Sequence, residues 1–193
     1  MFSFFNELEL LEIRLNELYE KVDKFVILEA KQTFQGKPNP LIFQKNKHLF
    51  EKFLDKIIYI SIHKNLNTNN PWEIESYQRG QLSRWLKQCS LNDIILISDV
   101  DEIIRADAID RIVKSLQQDR NVIVTCDQPL YRHFLNIKDN SSEWVGTIAC
   151  TYRYLCNKSI TNLRLNRNDN NYSIIPDAGW HFSSMGGDLA TIS

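Results

Sequence analysis

The feature that most constrains this chain is a short apolar segment that runs directly into a group of acids. Residues 94–97 read Ile-Ile-Leu-Ile, and residues 99–102 read Asp-Val-Asp-Glu. A short apolar run without alternation is typical of a strand buried on both faces, as in a parallel sheet. Because side chains alternate along a strand, we expect Asp99 and Asp101 to point the same way and Glu102 to face the other side in a structural role.

Paired carboxylates at the end of a central strand suggest a metal site. Ligands bind at this edge of open α/β sheets, and two neighbouring carboxylates repel each other unless a cation lies between them. Oxygen ligands suit Mg²⁺ or Mn²⁺, which are often shared with substrate phosphates. We therefore predict that Asp101 binds the cation directly and that Asp99 shares it or holds a sugar hydroxyl. The alternative is that either residue only caps the next helix.

Composition indicates one soluble globular domain. The chain has 193 residues, 43% hydrophobic and 24% charged, with a net charge of -1, which gives no general attraction to nucleic acid. Its four cysteines form no C-x-x-C pair, which favours reduced thiols over disulfides or a zinc site. No transmembrane run or signal peptide is visible. We expect a cytoplasmic protein, with attachment to the inner face of a membrane as the alternative.

Strands alternate with helices over most of the chain, which predicts an α/β fold with a mostly parallel central sheet. Asn6 and Glu9 form a potential capping box for the first helix, which completes a strand–helix–strand unit. The predicted strands are residues 1–5, 25–29, 57–62, 94–99 and 121–127, and the predicted helices are residues 7–21, 48–54, 73–88 and 106–118.

The C-terminal part has a different character. Residues 128–160 are rich in aromatics and predict antiparallel additions to the sheet, whereas residues 162–171 are polar and basic and predict a mobile loop. We expect a single domain over residues 1–193. Residues 1–127 would form the ligand-binding half, and residues 128–193 would complete the metal and acceptor sites.

Several other residues are candidates for the ligand site. Glu29 follows an apolar strand, so a parallel sheet would bring it to the same edge as the aspartates; a solvated loop residue is the alternative. Arg79 suggests a pyrophosphate clamp, since guanidinium binds phosphate through two hydrogen bonds, or else a surface arginine. Phe5 ends the first predicted strand and is a further candidate for ligand contact.

The segment around His181 predicts a third metal ligand. His181 follows Gly179 and precedes a Gly-Gly turn at residues 186–187, so it lies at a glycine-flanked strand end; a satisfied core histidine is the alternative. Trp180 is the best candidate for stacking on a sugar ring. Other aromatics could do the same, although core packing is the simpler interpretation for them: Tyr131, Trp144 and Tyr154.

Taken together, several separated motifs resemble glycosyltransferase family 17 from residue 2 to about residue 187. They are Phe5-Asn6-Glu7-Leu8-Glu9-Leu10-Leu11-Glu12-Ile13-Arg14-Leu15, Val26-Ile27-Leu28-Glu29-Ala30, Thr33-Phe34-Gln35-Gly36-Lys37-Pro38, Ile97-Ser98-Asp99-Val100-Asp101-Glu102-Ile103 and Gly179-Trp180-His181-Phe182-Ser183.

The resemblance implies a GT-A fold, a nucleotide-sugar donor, a divalent cation and inversion at the anomeric carbon. It also implies transfer of N-acetylglucosamine from UDP-GlcNAc to a glycan or another hydroxyl acceptor. The family's D-x-D motif falls on Asp99 and Asp101. The chain stops at Ser193, so the family's further helix and tail are expected to be missing. In the family these segments would help to close the donor site.

Three functions compete at this level. A metal-dependent inverting glycosyltransferase needs a carboxylate base for the acceptor hydroxyl, for which Asp177 is the first candidate and Glu143 the second. A haloacid-dehalogenase-type phosphatase would use Asp99 as nucleophile and Asp101 as acid/base. Its motif normally lies at the first strand of the fold, whereas here three predicted strands come earlier in the chain. The third possibility is a non-catalytic module that binds nucleotide sugars or glycans.

Overall fold

The computed structural model describes residues 1–141 and 143–185, so the predicted glycine turn at residues 186–187 and the tail lie outside it. The strands are β1 Phe2–Phe4, β2 Phe25–Ala30, β3 Ile57–Ile62, β4 Ile94–Ile97, β5 Glu102–Ile104, β6 Val124–Asp127, β7 Leu130–Arg132, β8 Lys138–Asp139, β9 Val145–Thr151, β10 Ser173–Ile175 and β11 Gly179–Ser183. The helices are α1 Leu8–Leu18, α2 Ile42–Asn46, α3 Pro71–Gly80, α4 Ser83–Leu86, α5 Ala106–Gln118, α6 Tyr152–Leu155 and α7 Ile160–Leu165, with a 3-10 helix at Lys47–Phe53.

The strands form three sheets, which confirms the predicted α/β class. One is fully parallel in the order β1-β2-β3, and the second is mixed in the order β10-β6-β9-β4. Met1 exchanges backbone hydrogen bonds with Leu96 and Ser98, which places the edge of the first sheet beside β4. The third sheet, in the order β5-β11-β7-β8, holds β11 antiparallel to β5 and parallel to β7.

Apolar side chains cover both faces of the strands, as the run at residues 94–97 predicts. Ile94 and Leu96 contact a core that includes α1 and α5, whereas Ile95 and Ile97 belong to a second core that includes α4 and α7. The partner strand differs from the expectation, because β4 pairs antiparallel with β9. The strand also ends at Ile97, so Asp99 and Asp101 lie in the turn before β5.

Local signals located most elements but misjudged several boundaries. The predicted capping box at Asn6 is wrong: α1 begins after Glu7 without a side-chain cap, and the Glu7 carboxylate accepts instead from the amides of Phe5 and Asn6. The predicted helix at residues 73–88 is two helices that separate after Gly80.

The largest error concerns residues 162–171, which were expected to form a mobile loop. Residues Ile160–Leu165 form α7, and the Ser159 hydroxyl accepts from the Asn162 amide at its N-terminus. Arg164 on this helix is 2% exposed. Arg164 is therefore part of the interior, and the reason lies in the acidic turn that it contacts.

Candidate functional site: an acidic turn held by buried arginines

The turn from Asp99 to Glu102 is shaped by hydrogen bonds to its backbone. The Asp99 amide donates to the Glu102 carboxylate at 2.9 Å, and the Glu102 amide donates to the Asp99 carbonyl at 3.3 Å. From α1, the buried Arg14 guanidinium donates to the carbonyl oxygens of Asp99 and Glu102, both at 2.9 Å, and of Val100 at 3.3 Å. One guanidinium therefore determines the path of the turn that carries the aspartates.

Burial shifts the ionisation of this guanidinium without neutralising it. Desolvation lowers the pKa of Arg14 to about 10, while the charges of Glu102, Asp101 and Asp99 act in the opposite direction. Arg14 is consequently still a cation at neutral pH.

Both carboxylate oxygens of Asp99 are engaged by arginines. Arg79 Nη2 lies 3.0 Å from Oδ1, and Arg164 Nη2 lies 2.8 Å from Oδ2. Burial acts to raise the pKa of Asp99, but the charges of Arg164 and Arg79 outweigh it, so the pKa lies below its ordinary value. The predicted phosphate clamp Arg79 thus lies next to the aspartate, where it also pairs with Glu75 at 2.7 Å.

Glu102 is the buried centre of this network, in agreement with its predicted structural role. Its carboxylate, which is 0% exposed, accepts from Arg164 at 2.9 Å and from the Trp144 indole at 3.0 Å. Arg164 also donates to the Gly146 carbonyl at 2.6 Å. Glycine is favoured at position 146, because a Cβ there would meet the Gln128 side chain and the Glu102 carboxyl group.

Asp101 faces His181. The Asp101 Oδ2 and His181 Nε2 atoms are 3.3 Å apart, and the histidine is held on β11 by the pairing of that strand with β5. The Trp144 ring packs against the imidazole at a centroid distance of 4.4 Å. The buried Nδ1 of His181 has no hydrogen-bond partner among the described residues. The structure therefore brings together the predicted ligands Asp101 and His181.

A cavity of about 750 Å³ opens beside this pair. Four of the predicted site residues line it: Phe5, Asp99, Asp101 and His181. Much of the rest of the wall comes from the ends of β1 and β2, from the loop after β2 and from Trp144, with Gln78 of α3 and Ser183 of β11 also in contact with the cavity. A cavity of this size matches the volume of small-molecule sites in proteins.

The structure does not bring Glu29 to this cavity. The cavity wall includes Leu28 and Ala30, and Glu29 points to the opposite side of β2. There its buried carboxylate accepts from the Phe43 amide at 2.9 Å and from the Tyr59 hydroxyl at 2.7 Å. Glu29 therefore anchors the start of α2.

Trp180 also lies away from the cavity, contrary to its predicted stacking role. It neighbours His181 on β11, so the two side chains face opposite ways. The Arg105 guanidinium lies 4.1 Å from the Trp180 ring centroid, and Phe182 stacks against the same ring. Trp144 is the tryptophan of the cavity wall.

The two predicted catalytic bases are not in the cavity wall either. Asp177 adopts a φ of 44°, and its side chain is 73% exposed, with Arg105 at 3.3 Å. Glu143 is exposed. The sequence analysis missed the roles of Arg14 and Arg164, and it considered Trp144 only for sugar stacking or core packing; all three support the acidic turn from distant parts of the chain.

Neither a complete metal cage nor a membrane span is present in the described part of the chain. Across residues 1–141 and 143–185, no three His, Cys, Asp or Glu side chains are grouped so that they could hold a metal ion. Within the same ranges, no helix has the length and apolar character needed to cross a bilayer.

The fold and the acidic turn at the cavity edge define a Rossmann-like α/β protein of the GT-A class. The chain belongs to glycosyltransferase family 17, whose model matches residues 1–186, so the resemblance is confirmed. It is 30% identical over 112 residues to the beta-1,4-mannosyl-glycoprotein 4-beta-N-acetylglucosaminyltransferases of Homo sapiens and Rattus norvegicus. The match covers 54% of this chain and 21% of each relative, so the chain spans about a fifth of their length.

A solved structure supports the fold. The crystal structure of S. aureus TarS 1-349 superposes with a TM-score of 0.51 at 13% identity and covers 94% of this chain and 58% of that one. At this identity the likeness concerns the fold alone.

Proposed function

We propose that this protein is a metal-dependent inverting glycosyltransferase that transfers N-acetylglucosamine from UDP-GlcNAc to a hydroxyl group of a glycan or another acceptor. The observation that carries the proposal is the Asp101–His181 pair at the edge of a 750 Å³ cavity, in a chain of glycosyltransferase family 17. The donor sugar follows the names of the N-acetylglucosaminyltransferase relatives.

The side chains at the cavity fit Mn²⁺ or Mg²⁺ in part. Asp101, in the turn before β5, offers a carboxylate, and His181 on the neighbouring strand β11 offers an imidazole nitrogen, whereas both oxygens of Asp99 are paired with arginines. We therefore assign the cation to Asp101 and His181, which leaves room for donor oxygens and water. When bound, the cation would supply positive charge for the diphosphate leaving group.

Asp99 then has a different role from the one first predicted. The pairing of its carboxylate with Arg79 and Arg164 supports the second role expected for Asp99, in which it accepts a hydrogen bond from a hydroxyl group of the donor sugar. The loop after β2 supplies cavity-wall side chains that suit the nucleoside part of the donor: Gln32, Thr33, Phe34, Gln35, Lys37 and Asn39.

The competing functions have less support. A phosphatase that uses Asp99 as nucleophile needs an unpaired carboxylate oxygen, whereas both oxygens are held by arginines. As candidate bases for the acceptor hydroxyl, Asp177 and Glu143 both have their positions outside the cavity wall against them.

Turnover tests the proposal. Wild-type protein is incubated with UDP-GlcNAc and Mn²⁺, with and without a mannose-containing acceptor, and UDP release is measured against an EDTA control. Asp101→Asn keeps the shape of the side chain and removes its charge, so we expect a loss of at least about a hundredfold, as for other electrostatic groups in active sites. Asp23→Asn, at an exposed aspartate, is the matched control and should leave the rate unchanged. Equal turnover with and without metal would contradict the proposal.

A further inference from the structure

A second concave surface lies between α3 and α7, outside the cavity described above. This groove of about 710 Å³ is lined by two exposed apolar side chains, Trp72 and Leu165, by the half-buried Tyr77 and by polar groups. The polar groups are Glu73, Glu75, Ser76, Arg79, Thr161 and Asn162. Trp72 is 70% exposed and Leu165 is 63% exposed, so a large indole face is open to solvent within the groove.

The position of the indole is set by the helix that carries it. Trp72 lies in the first turn of α3, where the Asn70 side chain accepts from its backbone amide at 3.1 Å. A capped first turn presents the side chain from rigid backbone. An indole held on a fixed element offers a ligand a large apolar face, because aromatic side chains contribute strongly to the energetics of contacts.

The charges of the groove exclude an anionic ligand. Its one cation, among the described lining residues, is Arg79, which is already paired with Glu75 at 2.7 Å and with Asp99 at 3.0 Å. Glu73 adds negative charge at the end near Trp72. A phosphate, a nucleotide or an acidic lipid would therefore be repelled. An aromatic face beside hydroxyl, amide and carboxylate groups matches a neutral ligand with apolar faces and many hydroxyls, which is a sugar chain.

The groove leads towards the catalytic cavity. It extends along α3 from Trp72 to Arg79, seven residues or about 10 Å at the rise of an α-helix. At its far end the Arg79 guanidinium binds Asp99, which lines the cavity. A ligand of two or more sugar units in the groove would thus end next to the site where the donor is expected.

We propose that the α3–α7 groove binds the neutral sugar chain of the acceptor, with Trp72 as the stacking surface and with Glu75 and Asn162 as hydrogen-bonding groups for its hydroxyls. This inference rests on the proposed function, since it names the acceptor's binding surface for that reaction.

The test measures glycan and nucleotide binding separately on the same variants. Mannotriose and chitotriose are the glycan probes, titrated into protein saturated with UDP and Mn²⁺ and followed by saturation-transfer NMR. Trp72→Ala should weaken binding of the preferred trisaccharide by roughly tenfold or more, as for a buried aromatic anchor, and Trp72→Phe should restore most of it. Phe134→Ala, at an aromatic side chain that is 63% exposed elsewhere, is the matched control and should change nothing.

The outcomes separate this inference from the proposed function. Unchanged trisaccharide affinity in Trp72→Ala, or no binding of either trisaccharide to wild type at millimolar concentration, overturns the groove as an acceptor site. A loss of UDP affinity in Trp72→Ala with intact glycan binding also overturns it and assigns the groove to the donor. If wild type binds no UDP with Mn²⁺ but Trp72→Ala still weakens glycan binding, the groove stands and the proposed transferase reaction fails.

Discussion

Replacing Arg164 with methionine tests whether the acidic turn is held together from the interior. Arg164 is 2% exposed and donates to Asp99, Glu102 and the Gly146 carbonyl. Its pKa stays above the ordinary value, because the nearby Glu102 and Asp99 outweigh the lowering effect of burial, so the side chain is a cation in the folded protein. Methionine fills much of the same volume but leaves the fully buried Glu102 carboxylate without its counter-charge.

The expected loss is large. Removing one partner of a buried ion pair costs about 3–5 kcal/mol. At about 2–4 °C of Tm per kcal/mol for a chain of this size, that loss corresponds to roughly 6–20 °C. Adding Glu102→Gln to Arg164→Met removes the unpaired charge, and the amide can still accept from the Trp144 indole. We therefore expect the double variant to recover at least about 1 kcal/mol relative to the sum of the single changes.

Urea unfolding followed by circular dichroism gives the unfolding free energy of wild type, of Arg164→Met, of Glu102→Gln and of the double variant. Arg167→Met is the matched control, because Arg167 is half-buried and its hydrogen bonds go to the carbonyl oxygens of Val145 and Arg164. It should cost clearly less than Arg164→Met. A loss below about 1 kcal/mol for Arg164→Met, with no coupling to Glu102→Gln, would refute the assignment of Arg164 as the buried support of the turn.

Two further predictions concern the same network. The pKa of Asp99 is below its ordinary value, so its ion pairs stabilise the fold above about pH 4 and lose this effect as the pH falls through the folded-state pKa. The difference in unfolding free energy between wild type and Asp99→Asn should therefore be larger at pH 7 than at pH 3 in urea titrations; a difference independent of pH would count against the ion pairs. Gly146→Ala should cost about 1–3 kcal/mol through the clash at Gln128 and Glu102, whereas Gly80→Ala, where a Cβ meets nothing, should not destabilise the protein. Equal thermal stability of the two alanine variants would contradict the clash.

The first half of the fold could be predicted because its signals are local. The leucines of α1 recur at helical spacing, and the β-branched runs of β2, β3 and β4 are short and bounded by polar residues. Helix α5 matches its prediction at both ends. These patterns depend on neighbouring residues alone, so they can be interpreted without the tertiary structure.

The support of the site could not be predicted in the same way. Arg164 is buried because it meets Asp99 and Glu102, which lie more than sixty residues earlier in the chain. Within its own segment it looks like a solvated residue of a polar stretch, and α7 is too short to show a clear period. The Ser159 cap was the one local signal of that helix.

Strand alternation could have corrected two of the misplaced site residues. If His181 faces the metal site, its neighbour Trp180 must face away, and the structure agrees. Glu29 is similarly excluded from the cavity that Leu28 and Ala30 line. The direction of each side chain therefore predicts the residues of the site better than the convergence of strand ends at one sheet edge does.

The most direct test of the central claim is calorimetric titration of UDP into wild-type protein and His181→Ala, each with Mn²⁺ and with EDTA. If Asp101 and His181 hold the cation, Mn²⁺ should tighten UDP binding to wild type by at least about tenfold, which is a typical coupling between two linked binding sites. The same enhancement should be lost in His181→Ala. Equal UDP affinity with and without Mn²⁺ in wild-type protein would contradict a metal-dependent donor site at this cavity.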